Sequence, residues 1–342
     1  MAMIRVLQLV RLSLRANTGN SWLVSGQISG GLTRFNIATR CSTFYSTSST
    51  LEIDTLKVKK LTPHIGAELM GFNLSKPLTQ VHLDSLYQAL MDHQVIFLRD
   101  QELTPEAHLS LAKSFGEPEP PHPLYDKIES CPQVTVIATG PENPPDADTW
   151  HTDVTWKAEP AFASVLHSRI IPPVGGDTLW ASMTAAYDAL PQGIKADIAD
   201  LRAVHDMSDF RNNFTVGEPD GAATKLNAAH MSMGSAIHPL VKHHPHTKKP
   251  YLYCNPGFTV HVVGLSSIAS RRLLAYLFDH MNQPEFQVRF KWTENTVAVW
   301  DNRCTMHYAI ADYLPHERKI HRVTIINDRR ARDIPPNIKD GR

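Results

Sequence analysis

His151 and Asp153 stand two residues apart in Trp150-His151-Thr152-Asp153-Val154-Thr155-Trp156, an imidazole and a carboxylate of types that suit metal chemistry. The run is rich in β-formers. On a strand, residues i and i+2 point to the same side, so an imidazole and a carboxylate would converge on one ion. With a second histidine they would make a facial His-Asp-His triad, a set that holds non-heme iron(II) and leaves positions open for oxygen chemistry. Spacing alone is weak support, because a chain with 18 histidines yields on the order of one His-x-Asp by chance. His82-Leu83-Asp84 is such a chance pair: it lies in a helical pattern, where i and i+2 do not face each other.

A second histidine and anion clamps are available near the C-terminus. Trp300-Asp301-Asn302-Arg303-Cys304-Thr305-Met306-His307-Tyr308 reads as a strand, a turn and a histidine, and Arg318-Lys319-Ile320-His321-Arg322 follows. In an extended segment Arg318 and Arg322 share a face. Spacing does not choose among His307, His316 and His321 as third ligand. Other histidines invite plainer readings. His243, His244 and His246 form His-His-Pro-His, where Pro245 breaks regular presentation, so a solvated loop is expected; His64 and His93 read as structural. Trp150 and Trp156 fall on the parity opposite the ligands and are expected to pack in the core.

These residues need elements to hold them. Helical spacing covers Leu83–Met91, and Thr104-Pro105-Glu106 opens a second helix that Gly116 closes. Further helical patterns occupy roughly 182–201 and 266–282. Val95–Leu98, Phe162–Ile171, Tyr251–Cys254, Val288–Trp292, Thr296–Trp300 and Lys319–Ile326 read as strands. Gly175-Gly176 is expected to be a tight turn between strands. Two Pro-rich loops, Pro118–Tyr125 and Pro141–Asp148, feed the His151 motif, and the polar stretch 205–236 reads as a long excursion or lid. Many short strands with few helices predict a mostly β fold with peripheral helices around a jelly-roll core.

The first fifty residues differ from the rest. They contain no Asp or Glu and carry Arg5, Arg11, Arg15, Arg34 and Arg40 among many Ser and Thr. Met3, Val6, Leu7, Val10 and Leu14 cluster on one side of a helix, and Arg5, Gln8, Arg11 and Arg15 lie on the other. That is the pattern of a mitochondrial transit peptide over residues 1–50, implying a matrix location, with the cytoplasm as the alternative. Taking five arginines from the 34 basic residues leaves 29 against 34 acidic ones. A mildly acidic body without a basic run gives no support for nucleic-acid binding. The apolar N-terminal run is too short and broken to span a membrane. Cys41, Cys131, Cys254 and Cys304 are scattered without a Cys-x-x-Cys pair, which points to a reducing compartment.

From about residue 52 to 330 the chain resembles taurine dioxygenase and its relatives among the Fe(II)/2-oxoglutarate-dependent oxygenases. The resemblance rests on Tyr87–Gln101, Asn143-Pro144-Pro145-Asp146, Trp150–Thr155, Gly175–Trp180, Pro284–Arg289 and Trp300–Arg322. It implies a double-stranded β-helix domain over 51–332, followed by a tail at 333–342. It makes His151, Asp153 and His307 the iron ligands and assigns Thr178 and Arg318 to 2-oxoglutarate. It places His122, Arg322 and the backbone of Val154 on a sulfonate, Tyr125 near an amine and Phe258 in the pocket wall. The cofactors implied are Fe(II), 2-oxoglutarate as co-substrate, and O2.

The reaction implied is hydroxylation of the carbon next to sulfur in taurine or a related sulfonate, releasing sulfite, an aldehyde, succinate and CO2. An alkyl sulfate ester, an aryloxyacetate or a carnitine-type precursor is an alternative substrate, and a non-catalytic jelly-roll metal-binding module an alternative of another class. The partner expected is a small anion, with room for a homo-oligomer. Two departures bear on specificity. Ala147 stands where the taurine-specific pattern has an asparagine, and Trp156 where a smaller aromatic is usual.

Overall fold

A computed structural model of the chain describes residues 56–121, 125–145, 149–207 and 234–329. The expectations for the N-terminal fifty residues, His122, Ala147, most of the 205–236 excursion and the 333–342 tail fall outside these ranges. The strands are β1 (Lys57–Lys60), β2 (Ala67–Met70), β3 (Val95–Leu98), β4 (Gly116–Pro118), β5 (Asp126–Ile128), β6 (Cys131–Thr139), β7 (Ala163–Ile170) and β8 (Thr178–Ser182). They continue as β9 (Arg202–His205), β10 (Ala236–Pro239), β11 (Val241–His243), β12 (Pro250–Leu252), β13 (Thr259–Val262), β14 (Gln287–Phe290), β15 (Val297–Asp301), β16 (Thr305–Ala309) and β17 (Arg318–Asp328). The helices are α1 (Gln80–His93), α2 (Pro105–Phe115), α3 (Met183–Ala189), α4 (Gln192–Ile198) and α5 (Ser267–Met281).

The larger sheet runs β1-β2-β3-β15-β7-β17-β6-β5, with β4 beside the far end of β17; the smaller one facing it is β14-β8-β16. The apolar run of β15 is buried on both faces because it lies mid-sheet between two layers. Val297 and Val299 point outward to the core under α1 and α2, with Val165, Val323 and Ile325 from the neighbouring strands. Ala298 and Trp300 point inward, where Phe97, Trp180, Phe290, Trp292 and Ile320 fill the space between the sheets. Phe97 stacks on Phe290 at 3.7 Å, and Trp180 meets Phe97, Trp292 and Trp300 edge-on or tilted. Each fully buried side chain of this size stabilises the fold by about 1.5–3 kcal/mol, so this aromatic plug fixes the sheet spacing beside the candidate site. A third core covers the outer face of the smaller sheet with α3 and α5. Two facing sheets, antiparallel except for the β2–β3 pair, with helices outside are the expected jelly-roll architecture.

Local chemistry explains most element ends. Thr79 caps α1 by accepting the His82 N–H, while His82 Nδ1 accepts the Thr79 N–H in return; Asp84 accepts from Gln80 on the next turn. The His82-x-Asp84 pair therefore serves a helix start, as its pattern predicts. The helix expected over 182–201 is instead two short ones, because Leu190 and Pro191 are extended (ψ 142° and 143°). Proline removes an N–H and restricts the residue before it. The nine-residue β6, unremarked in the sequence, pairs with β17 along Arg318–Arg322. Contacts gather Asp54–Arg342 into one unit. Among the described residues, no helix is long and apolar enough to cross a membrane.

Candidate active site

His151 and His307 face each other as an isolated antiparallel bridge. The His151 N–H donates to His307 O (3.0 Å), and the His307 N–H returns to His151 O (2.8 Å). Directly opposed residues place their side chains on one face, and the two imidazole centroids lie 4.2 Å apart. The strand predicted for the motif stops there: Asp153 to Trp156 form a turn, with Val154 at φ 51°. Parity along a strand therefore does not bring His151 and Asp153 together, as the sequence suggested. A bridge followed by a tight turn does so instead. Thr152 Oγ1 donates to Thr305 O (2.8 Å) and holds the turn onto β16.

Asp153 Oδ1 lies 3.8 Å from His151 Nε2 and 3.7 Å from His307 Nε2. These separations are too long for hydrogen bonds and leave a space bounded by three donor atoms; the ligand atoms of this trio all lie within 4.8 Å of one another. The His151 ring is set for such a role. Its Nδ1–H donates to Thr149 O (2.7 Å), because a carbonyl can only accept, and the Nε2 lone pair is left facing Asp153. The other carboxylate oxygen accepts from Ser164 Oγ (2.9 Å), and Ser164 accepts from Asn302 Nδ2 (3.2 Å). Asn302 is fixed in turn by Trp300 Nε1–H (2.7 Å). Burial opposes ionisation of Asp153, but His307, Arg322, His151 and the Ser164 hydroxyl prevail and hold its carboxyl at about 2. Burial pushes His307 down to about 3, aided by His151 and Arg322, so the imidazole is neutral at neutral pH. A carboxylate, the neutral imidazole of His307 and the Nε2 atom that His151 turns toward Asp153 fit a divalent transition metal.

Register explains the rest of the site. His307 on β16 is the cross-strand partner of Trp180 on β8, so Thr178, two residues before Trp180, shares the inner face with His307. On β17, Arg318, Ile320 and Arg322 alternate onto the same interior. Arg318, 8% exposed, donates from Nε to Gly176 O (3.2 Å) and from Nη2 to Thr178 Oγ1 (3.3 Å). Thr178 Oγ1 also accepts Trp292 Nε1–H (3.0 Å); with both lone pairs taken, its own proton is left to donate. Among the described residues Arg318 has no carboxylate within 4 Å, and burial depresses its guanidinium to about 10. A buried cation held by neutral groups is a receptor for an anion. The Gly175-Gly176 turn braces it, as expected of a turn between strands. Both glycines have positive φ (80° and 70°), and a Cβ on Gly176 would lie 2.9 Å from Pro172 Cγ and 3.2 Å from Arg318 Cδ.

Arg322 reaches Asp153 Oδ1 at 3.9 Å, and its guanidinium carbon lies 5.6 Å from the centre of the Tyr125 ring. Its Nε is buried with no hydrogen-bond partner among the described residues. Phe258 packs edge-on to His151 (5.9 Å) and Trp156 (4.6 Å), and with Val154 and Met207 these residues form a small apolar cluster. Trp156 is buried, but in this wall beside the candidate metal-holding residues instead of in the main core as expected. Gly257 permits the approach: a Cβ there would sit 3.0 Å from His151 Cβ. Of the residues singled out from sequence, His151, Asp153, His307, Thr178, Arg318, Arg322, Val154, Tyr125 and Phe258 are described and gather here. Ser164, Thr149 and Thr152 were not foreseen, and single hydroxyls leave no spacing signature.

The turn Val154–Lys157 is clamped from behind. His205 Nδ1 and Asn255 Nδ2 reach Thr155 Oγ1 (3.0 and 3.3 Å), and His238 Nε2–H donates to Thr155 O (2.9 Å) and Lys157 O (3.1 Å). The His-His-Pro-His segment corrects an expectation. His244 is 2% exposed, not solvated, and hydrogen-bonds Asp301 Oδ2 through Nε2 (3.0 Å).

The model of the family "Taurine catabolism dioxygenase TauD, TfdA family" matches residues 57–324. An alkylsulfatase from Acinetobacter baylyi is 33% identical over 275 residues, which cover 80% of this chain and 86% of that protein. An alpha-ketoglutarate-dependent sulfate ester dioxygenase from Pseudomonas putida is 34% identical over 285 residues, covering 81% and 91%. The crystal structure of a taurine dioxygenase from Burkholderia xenovorans superposes with a TM-score of 0.68 at 36% identity, covering 80% of this chain and 90% of that one.

Proposed function

This chain belongs to the taurine catabolism dioxygenase TauD, TfdA family, and from that premise we propose that it hydroxylates the carbon next to the sulfur-bearing group of a small organic sulfonate or sulfate ester. It is a 2-oxoglutarate-dependent dioxygenase that uses Fe(II), 2-oxoglutarate and O2, and the non-catalytic alternative falls with that assignment. In the proposed arrangement His151 Nε2, Asp153 Oδ1 and His307 Nε2 hold the iron, which with 2-oxoglutarate and O2 supplies the oxidising power. Arg318 takes the distal carboxylate of 2-oxoglutarate through its guanidinium fork, and Thr178 adds one hydroxyl donor. Arg322, two repeats of the pleat further along the same face, takes the substrate's anionic head group with the Val154 backbone and His122. Tyr125 lies over the Arg322 guanidinium. The apolar wall excludes water from the reacting carbon. The observation that carries the reading is the pair of buried or part-buried arginines on one strand face flanking the triad, each with donor capacity that the described protein groups leave unused.

A sulfonate such as taurine would yield sulfite and an aldehyde; a sulfate ester would yield sulfate and an aldehyde. The wall of Trp156, Phe258 and Val154 favours a substrate with an apolar body over the ammonium of taurine, and Ala147 removes a polar side chain from the taurine-specific pattern. Losing one neutral hydrogen bond costs about 0.5–1.5 kcal/mol, at most roughly tenfold in affinity. The test is an anion panel with Fe(II), 2-oxoglutarate and ascorbate, with succinate, sulfite and sulfate measured together. Succinate stimulated by alkyl sulfonates or sulfate esters, with matching sulfite or sulfate, supports the reading; stimulation only by carboxylates overturns it. We further propose import into mitochondria through residues 1–50. Intact-mass measurement of the protein from its own cells tests this, and a mature chain retaining the segment would count against it.

A further inference from the structure

Away from the triad, a cavity of about 780 Å³ opens between β9, β10 and β11 and the 158–161 loop. This volume is within the range of small-molecule sites, which are mostly apolar with a few convergent polar groups. Lys242, from β11, is half-buried in its wall. Its ammonium lies 3.5 Å from the centre of the Tyr253 ring and hydrogen-bonds His238 Nδ1 at 3.3 Å. His238 can only be the acceptor there, because its Nε2–H already donates to two carbonyls.

No carboxylate approaches Lys242 within 4 Å among the described residues. The other charged groups around the cavity leave it in surplus. Arg202 donates to the Ile237 carbonyl (3.3 Å), and Arg303 is neutralised by Asp301 and Asp328. His243 is exposed, and among the described lining residues Asp200 is the one acid. Tyr251 and Tyr253 supply an aromatic floor.

We propose that this cavity is a second ligand site, which takes a small organic oxyanion on Lys242 with its apolar body against Tyr251 and Tyr253. An ammonium resting on a ring face and a neutral imidazole still has donor capacity directed at the cavity, and a carboxylate or sulfonate would complete it. Burial without a counter-charge also pushes Lys242 down to about 7, so an anion that binds there takes up a proton with it. The site is not isolated from the reaction centre: His238 joins Lys242 to the Thr155 and Lys157 carbonyls, in the turn that follows Asp153.

The test is calorimetric titration of the full chain with benzoate, methanesulfonate and inorganic sulfate across pH 7–9. Wild type is expected to bind benzoate more tightly than sulfate, and to weaken roughly tenfold per pH unit above about 8 as Lys242 loses its proton. Lys242→Met should lose at least about tenfold in benzoate affinity at pH 7 while the basal dioxygenase rate stays unchanged. Lys242→Arg should keep binding and lose the pH dependence, since a guanidinium stays charged. A thermal melt shows whether each variant is folded. Benzoate affinity that is equal in wild type and Lys242→Met, or unchanged for wild type from pH 7 to 9, would overturn the proposal. So would the absence of binding by all three anions.

Discussion

Among the described residues two clusters have the composition of a metal site, and one of them is arranged as one. His151, Asp153 and His307 form the first; His244, Asp301 and Cys304 form the second, and in each the ligand atoms lie within 4.8 Å of one another. In the second, Asp301 is saturated. Its Oδ1 accepts the Arg303 N–H and Nε–H (both 2.9 Å), and its Oδ2 accepts Arg303 Nη2 (2.5 Å) and His244 Nε2–H (3.0 Å). His244 Nδ1 accepts the N–H groups of His246 and Thr247 (3.2 and 3.0 Å), which forces the hydrogen onto Nε2. Burial, aided by Asp301, raises the Cys304 thiol well above its usual range, so it stays protonated. In the first cluster, Asp153 Oδ1 has no protein donor in hydrogen-bond range among the described residues, and His151 turns its hydrogen away toward Thr149. What separates a candidate metal centre from a structural ion-pair network is the direction of the lone pairs, not residue type or proximity.

Asp153→Ala should have the largest effect. Removing a ligand from a three-residue site should take metal-dependent succinate formation to background, at least about 10⁴-fold or more than 5 kcal/mol of barrier. The metal-free protein should lose no more than roughly 2 kcal/mol of stability. A variant that keeps a tenth of its activity would show that the open cluster is not the centre. Asp301→Asn should do the reverse. It leaves buried Arg303 with Asp328 as its remaining carboxylate partner, and losing charge-assisted hydrogen bonds of this kind costs about 1.5–3 kcal/mol, which urea unfolding would read. The folded fraction should bind Fe(II) as wild type does; a loss of Fe(II) affinity without a loss of stability would reverse the two roles.

The two arginine systems extend the contrast. Arg303 is saturated by Asp301 and Asp328 (2.5 and 2.7 Å), whereas Arg318 holds only a carbonyl and a hydroxyl. Arg318→Lys retains charge but loses the fork, so the 2-oxoglutarate concentration for half-maximal rate should rise about 10–30-fold, or roughly 1.5–2 kcal/mol. The maximal rate should change less than threefold. Steady-state titration of 2-oxoglutarate decides this, and an unchanged requirement would remove Arg318 from co-substrate binding.

Much of this was legible in the chain because period and type carry information. Alternation in Arg318-Lys319-Ile320-His321-Arg322 put both arginines on one face, and the cap at Thr104 marked the start of α2. Short apolar runs gave β3, β7 and β15. What was not legible depended on register. The sequence offered His307, His316 and His321 equally; the bridge from His307 to His151 is a long-range pairing that only the resemblance pointed to. The turn at Asp153 was hidden because Val154 and Thr155 are β-formers, and the bonds from Thr152 to Thr305 and from His238 to Thr155 and Lys157 override that preference. His244 looked like part of a polar loop because its partner, Asp301, is 57 residues away.

The smallest effect predicted separates the clusters by pH in the metal-free protein. The Asp153 carboxyl is held at about 2 in the fold against about 3.9 in an unfolded chain. Between these values the unfolded state binds more protons, so stability rises with pH. The contribution, roughly 2 kcal/mol, is fully present above about pH 4 and is lost as pH falls through about 2. Asparagine mimics the protonated form. The stability gap between wild type and Asp153→Asn should therefore be constant from pH 7 to about 4 and close on further acidification. Adding a divalent metal should widen that gap at neutral pH, because the ion binds the ionised carboxylate of the open cluster. Asp301 is also held well below the usual carboxylate range, with Arg303 and His244 overcoming its burial, but its lone pairs are occupied. The gap between wild type and Asp301→Asn should respond to acid with the same sign and ignore the metal. Urea midpoints at pH 7, 5 and 3, with and without Mn(II), would check both. A metal-sensitive Asp301 gap, or an Asp153 gap that widens on acidification, would break the distinction between the open cluster and the closed one.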